Sequence, residues 1–176
     1  MYKAASYDFE TVSGAGPASF LWDKSDNDNT LLRTSLSGVT GDLSNPAVGN
    51  RSARFNGLSM AYVSAKSIWN TNEGTISVWV HPDNLNSRQR VISLYSFGVY
   101  IQLRIDEKVI AYATPGPAII SNDLIAPNEW TSLIFTWSQK VGSATLYING
   151  QLDRTISLTN YSGVIYDGCL SLGAAA

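Results

Sequence analysis

The sequence predicts an all-β protein, a sandwich or jelly roll, and three observations carry that reading. About a dozen short runs of alternating apolar and polar residues follow one another, with turn residues about every 8 to 12 positions, the rhythm of a sandwich. No segment sustains a 3.6-residue period; the nearest candidate, residues 64–73, has room for a single helical turn. The third observation is the stretch 129–153, where two strands and the start of a third are legible. Leu133, Phe135 and Trp137 alternate with Ser132, Ile134 and Thr136, which gives that strand one bulky face. Past a turn near Gly142, Ala144, Leu146 and Ile148 alternate with Thr145, Tyr147 and Asn149. Asn149-Gly150 then supplies the two positive-φ positions of a type I′ turn, so residues 151–158 must pair back on the strand before them.

The remaining elements follow in order. Residues 6–10 read as a short first strand, and a long irregular stretch begins at Gly14-Ala15-Gly16-Pro17. Residues 23–29 are dense in Asp and Asn, residues that close turns on their own backbone. A strand is expected over 30–36, a loop through Gly38, Gly41 and Asn45-Pro46, and strands over 52–55 and 59–63 joined as a hairpin by Asn56-Gly57. The segment 75–81 sets Ile76, Val78 and Val80 on one side and Trp79 on the other, and Pro82-Asp83 stops it. An up-and-down run over 90–95, 99–105 and 108–114 comes next, then a loop bracketed by Pro115-Gly116-Pro117 and Pro127-Asn128. After the organising stretch, Asp167-Gly168 precedes a last strand ending at Leu172. There is no internal repeat, which disfavours a propeller or a solenoid.

At 176 residues the chain is expected to be one domain, residues 1–176, large enough to fold without a disulfide or metal. Hydrophobic residues at 44% against 15% charged place it among ordered globular proteins. A net charge of −2 and seven arginines scattered along the chain supply no basic footprint, so nucleic acid is not an expected partner. The single Cys169 sits in an apolar run and reads as a buried thiol. The first residues lack the apolar core of a signal peptide, and no apolar run is long enough to insert into a membrane.

In this order and at these separations, several pieces resemble the laminin-G-like jelly rolls of the concanavalin A-like lectin and glucanase superfamily. They are Tyr7-Asp8-Phe9-Glu10, the Asp/Asn-rich turn from Asp23 to Asn29, and Ala53-Arg54-Phe55-Asn56-Gly57 with Tyr62-Val63. Thr75-Ile76-Ser77-Val78-Trp79-Val80 follows, then Glu129-Trp130 through Trp137, and Leu146-Tyr147-Ile148-Asn149-Gly150. The resemblance implies two antiparallel sheets packed face to face and puts Trp79, Trp130 and Trp137 in the core. It leaves the ligand open, because one fold hosts many functions. Relatives usually carry a further strand beyond residues 169–173, so an open sheet edge is expected near Tyr7.

A retaining glucanase of that superfamily would carry Glu-x-Asp-x-x-Glu, with carboxylates about 5–5.5 Å apart. The four glutamates, Glu10, Glu73, Glu107 and Glu129, lie in no such pattern, and His81, the one histidine, reads as a solvated strand end. The chain is therefore not expected to be an enzyme. Calcium is the candidate cofactor: Asp23, Asp26 and Asp28 offer oxygen ligands in a short span, with Glu10 as the extra ligand the resemblance suggests. A loop of self-capping Asx turns is the alternative. For ligand binding, Trp69, Tyr95, Tyr161 and Tyr166 are candidate aromatic platforms. The function expected first is a non-catalytic assembly module, such as a decoration protein on the surface of a phage-type virion, packing against other protein subunits or itself. The second is a glycan-binding module, calcium-dependent or not, cut from a larger extracellular protein.

Overall fold

The computed structural model describes residues 20–21, 31–33, 39–42, 46–50, 52–57, 60–64, 72–94, 98–113, 116–158 and 169–173, and among them lie 14 strands and no helix. In chain order the strands begin with β1 (Phe20–Leu21), β2 (Leu31–Arg33), β3 (Val39–Asp42), β4 (Ser52–Phe55), β5 (Ala61–Ser64), β6 (Glu73–Val80) and β7 (Gln89–Leu94). They continue with β8 (Val99–Leu103), β9 (Val109–Ala113), β10 (Ile119–Ile120), β11 (Thr131–Ser138), β12 (Ser143–Ile148), β13 (Gln151–Ser157) and β14 (Cys169–Leu172).

Eight of them form a larger sheet in the order β1-β2-β5-β14-β7-β8-β9-β10, and four form a smaller one in the order β13-β12-β11-β6. β3 and β4 pair as a separate ribbon. All pairings are antiparallel, and β14 inserts between β5 and β7, which puts the last described strand in the middle of the larger sheet. This is a jelly-roll sandwich.

Alternation along the strands builds the core. In β11, Leu133, Phe135 and Trp137 point inward, in line with Ile76 and Val78 of β6 and with Ala144, Leu146 and Ile148 of β12. From the larger sheet, Val99, Ile101 and Leu103 of β8 and Val109, Ala111 and Ala113 of β9 meet them, all buried. Burial of apolar area at this density supplies most of the fold's stabilisation. One side of the sandwich is tied by polar contacts between β13 and the segment after β10. The Asp153 carboxylate accepts from the Asn122 and Asp123 N–H groups (3.1 and 2.8 Å), and Arg154 Nη1 donates to the Ile120 carbonyl (2.9 Å).

The expected turn at Asn149-Gly150 is present, with φ of 50° and 78°, and it joins β12 to β13, whose pairing shifts register between Leu146 and Tyr147. Five expectations need correction. Asn56-Gly57 does not close a hairpin: β4 pairs with β3, whereas β5 joins β2 and β14, so Gly57, at φ 80°, turns the chain from the ribbon into the larger sheet. Gly41, read as loop, lies within β3, where pairing with Ala53 overrides its weak strand preference. The irregular stretch after Gly14 contains β1, and the loop after Pro117 contains β10. Each is two residues long and held by a neighbouring strand, too short to show any alternation.

Trp79 is the fifth. It stands opposite Ser132 on the outer face of the smaller sheet and is 47% exposed, because its neighbours Val78 and Val80 take the inner face. Trp137 is buried as expected, and Trp130 is half-buried against His81, the ring centroids 5.2 Å apart. The expected strand over 6–10 and the Cys169 side chain lie outside the described residues, as do residues 65–71 of the expected single turn, whose ends Ser64 and Glu73 belong to β5 and β6.

Candidate functional site

The larger sheet has a second face. With Val99, Ile101 and Leu103 turned into the core, alternation sends Tyr100 and Gln102 of β8 to the opposite face, and likewise Ile110 and Tyr112 of β9; there Tyr100, Ile110 and Tyr112 are half-buried, whereas Gln102 is buried. Register aligns them into two rows. One runs Ser171, Ser93, Tyr100, Tyr112 across β14, β7, β8 and β9, and the other runs Arg90, Gln102, Ile110, Ile120 across β7 to β10. An irregularity between Arg90 and Ile92 inserts Val91, which packs on the core while Arg90 stays on the outer face.

The side chains of the two rows interlock. Tyr100 and Tyr112 lie with ring centroids 5.2 Å apart and planes tilted by 36°. The Arg90 guanidinium carbon sits 4.6 Å from the Tyr100 ring centre, a cation–π contact that fixes the planar group in place. Arg90 Nη2 reaches Gln102 Oε1 at 3.5 Å, the long limit of a hydrogen bond, and Arg90 Nε is buried with no acceptor. Two half-buried aromatic rings beside a half-buried guanidinium, with the buried Gln102 carboxamide behind it, make a surface suited to stacking and planar hydrogen bonding.

At the end of β8 the chain turns through residues 104–108, where the Arg104 N–H donates to the Lys108 carbonyl (2.9 Å). Arg104 Nε pairs with Asp106 Oδ1 at 2.8 Å. That hydrogen bond holds the Asp106 carboxyl below the usual carboxylate range. Lys108 Nζ donates to the Ser121 carbonyl (3.1 Å). Of the seven arginines expected to be scattered, Arg90 and Arg104 come to one end of one sheet, with Lys108 beside them and exposed Arg88 just before β7. The clustering is a product of strand register and could not show in linear order.

Asp23, Asp26, Asp28 and Glu10, the calcium candidates, and Trp69, Tyr95, Tyr161 and Tyr166, the aromatic candidates, all lie outside the described residues. Among the described residues no three His, Cys, Asp or Glu side chains gather to hold a metal ion. The residues that do assemble were legible in principle. In Val99-Tyr100-Ile101-Gln102-Leu103-Arg104 and Lys108-Val109-Ile110-Ala111-Tyr112-Ala113 the apolar positions mark one face, and the remaining positions name Tyr, Gln, Arg and Lys for the other.

The described residues form an antiparallel β-sandwich, a fold shared with lectin-like domains. A family model of the laminin-G-like group, described as the concanavalin A-like lectin/glucanases superfamily, matches residues 55–176, and the chain belongs to that superfamily. No match is found among curated proteins. Among solved structures, the binding domain of Paraclostridial Mosquitocidal Protein 1 aligns with a TM-score of 0.70 at 20% identity, over 87% of this chain and 41% of that one. Domain 4 of AbnA, a GH43 extracellular arabinanase from Geobacillus stearothermophilus solved with arabinotriose, aligns at 0.65 and 20% identity, over 86% and 77%. The binding domain of botulinum neurotoxin DC, solved with rat synaptotagmin II, aligns at 0.65 and 14% identity, over 97% and 43%. The chain thus spans less than half the length of the two toxin domains, and the likeness is one of fold.

Proposed function

We propose that the chain is a non-catalytic, lectin-like module that binds a glycan on the outer face of the larger sheet. The observation that carries this reading is the Tyr100–Tyr112 ring pair set against the Arg90 guanidinium and the Gln102 carboxamide. Sugars present apolar C–H faces and equatorial hydroxyls, and such a surface offers a ring to the first and the planar guanidinium donors to the second. The related arabinanase domain, solved with arabinotriose, supports a saccharide ligand for this fold. The test is a glycan array followed by titration of the best hit. Replacing Tyr100 and Tyr112 together by Ala is expected to weaken binding about tenfold, each ring interaction being worth about 0.5–1.5 kcal/mol beyond its buried area. Undiminished binding by a folded double variant would move the site elsewhere.

A second reading, an assembly module that packs against other protein subunits as on a phage-type virion, is favoured by the smaller sheet. Its outer face exposes Trp79 and, on β13, Leu152, which is 63% exposed. Apolar side chains displayed at both edges of one face suit a protein neighbour better than water.

A further inference from the structure

The smaller sheet has two edges, β13 and β6, and among the described residues no strand pairs with β6 on the side away from β11. Which backbone groups β6 turns to that side follows from the ladder. The Gln139 N–H donates to the Asn72 carbonyl (2.7 Å), one step beyond the Ser138 and Glu73 partners, so every second residue after Asn72, namely Gly74, Ile76, Val78 and Val80, bonds to β11. The far side of β11 agrees: the Asn149 N–H donates to the Ser132 carbonyl (2.8 Å), which turns the even-numbered residues of β11 to β12 and leaves the odd-numbered ones for β6. Thr75, Ser77 and Trp79 therefore direct both N–H and C=O to the open edge, and all three are exposed.

We infer that this edge receives a second copy of the chain, β6 against β6 in antiparallel sense about a twofold axis at Ser77, which joins two four-stranded sheets into one. Sheet edges that stay single are blunted by charge, proline, irregular pairing or a covering segment. The β13 edge has such devices: Asp153 and Arg154, a register shift, and the segment after β10 bonded along it. β6 reads Glu-Gly-Thr-Ile-Ser-Val-Trp-Val, with neither lysine nor proline, and it runs opposite β11 over eight consecutive positions with no register shift. The strand is also complementary to itself. An axis at Ser77 sets Thr75 against Trp79 of the second copy and Ser77 against its own equivalent, and each such pair exchanges two backbone bonds. Ile76 then lies beside Val78 of the second copy, which continues the core row, and the Trp79 indole, 47% exposed in the single chain, is covered. Glu73, the one charge of the strand, comes beside His81 of the second copy, so no like charges oppose each other across the axis. This pairing uses the edge of the smaller sheet rather than its outer face, and it is independent of the glycan-binding reading.

The experiment measures mass by sedimentation across the micromolar range, with thermal unfolding as the control for folding. The mass of the unmodified protein is expected to double with rising concentration, and the amides of Thr75, Ser77 and Trp79 are expected to gain protection from hydrogen exchange as it does. Ser77→Lys and Ser77→Glu each set like charges face to face on the axis, so each variant alone should stay monomeric, whereas an equal mixture of the two should recover the doubled mass. Ser77→Pro removes an N–H that β11 does not use and should keep the fold while losing the dimer. Leu152→Ser, on the opposite edge strand, should leave the dimer unchanged. A monomer at every concentration overturns the inference. So does a dimer that survives Ser77→Lys and Ser77→Glu, a mixture of those variants that fails to associate, or a dimer lost in Leu152→Ser, which would move the contact to the outer face. Protection of the three amides in a dilute, monomeric sample overturns it as well, because a strand of the same chain would then hold the edge.

Discussion

Gly74 stands directly opposite Trp137 in the ladder between β6 and β11, and a Cβ built on it would fall 2.5 Å from Trp137 Cζ2. On its other side Trp137 faces Ala144 of β12, so the largest side chain of the row is flanked by two of the smallest. The indole stacks on Phe135, with centroids 5.4 Å apart and an angle of 24° between the rings, which leaves it little room to turn away. Small beside large is what dense packing requires, and it is fixed by register.

Gly74→Ala is therefore expected to destabilise the protein by about 1–3 kcal/mol, the usual cost of overpacking. Urea denaturation measures it. Combining it with Trp137→Leu should produce less loss than the two single changes added, because both act on one contact. Strict additivity would show that the ring is not what Gly74 accommodates.

At the β12–β13 turn the constraint is conformational instead. Gly150 has φ of 78° with nothing within 4 Å of its Cβ position, so Gly150→Val meets no clash and suffers only backbone strain, of about 1–3 kcal/mol. Gly150→Asn should lose less, since asparagine tolerates the left-handed region. Melting temperatures ranked glycine, asparagine, valine are the expected result, and a valine variant as stable as the parent would contradict the turn geometry. The preceding Asn149 is fixed by more than φ: its Oδ1 accepts from the Ser132 N–H at 2.9 Å while its own N–H donates to the Ser132 carbonyl at 2.8 Å.

How much of this could be read from the chain depends on the range of the signal. The strands over 131–157 were legible because alternation and the Asn149-Gly150 turn act within a few residues. The partners of β4 and β5 were not, since Asn56-Gly57 supports a hairpin and a crossover equally, and only distant β2, β3 and β14 decide between them. Trp79 shows the same limit. Its alternation with Val78 and Val80 placed it opposite them, yet family likeness put it in the core, and the local signal was the better guide. The candidate site lies at the far end of that scale, because Arg90, Tyr100 and Tyr112 become neighbours only once three strands are in register.

Calcium supplies a prediction for the acidic segment. If Asp23, Asp26, Asp28 and Glu10 bind it, millimolar calcium is expected to raise the melting temperature and excess chelator to lower it, because a ligand held only by the native state stabilises that state by mass action. Coincident melting curves in both conditions would leave the loop of Asx turns as the account of this segment.

The outer face of the smaller sheet separates the two functional readings. A row of threonines, Thr75, Thr136, Thr145 and Thr155, crosses all four strands there, and Thr145 and Thr155 share a hydrogen bond of 3.1 Å. The apolar residues Trp79 and Leu152 rise from the two edge strands on the same face. Neither supports the core, so Trp79→Ser with Leu152→Ser should leave the unfolding midpoint nearly unchanged, within about 0.5 kcal/mol per site. If the chain packs against copies of itself through this face, light scattering of the unmodified protein should show mass rising with concentration, and the double variant should remain monomeric while its glycan binding persists. A monomer at every concentration, in both proteins, would remove self-assembly through this face and leave the glycan surface as the part of the molecule that meets a partner.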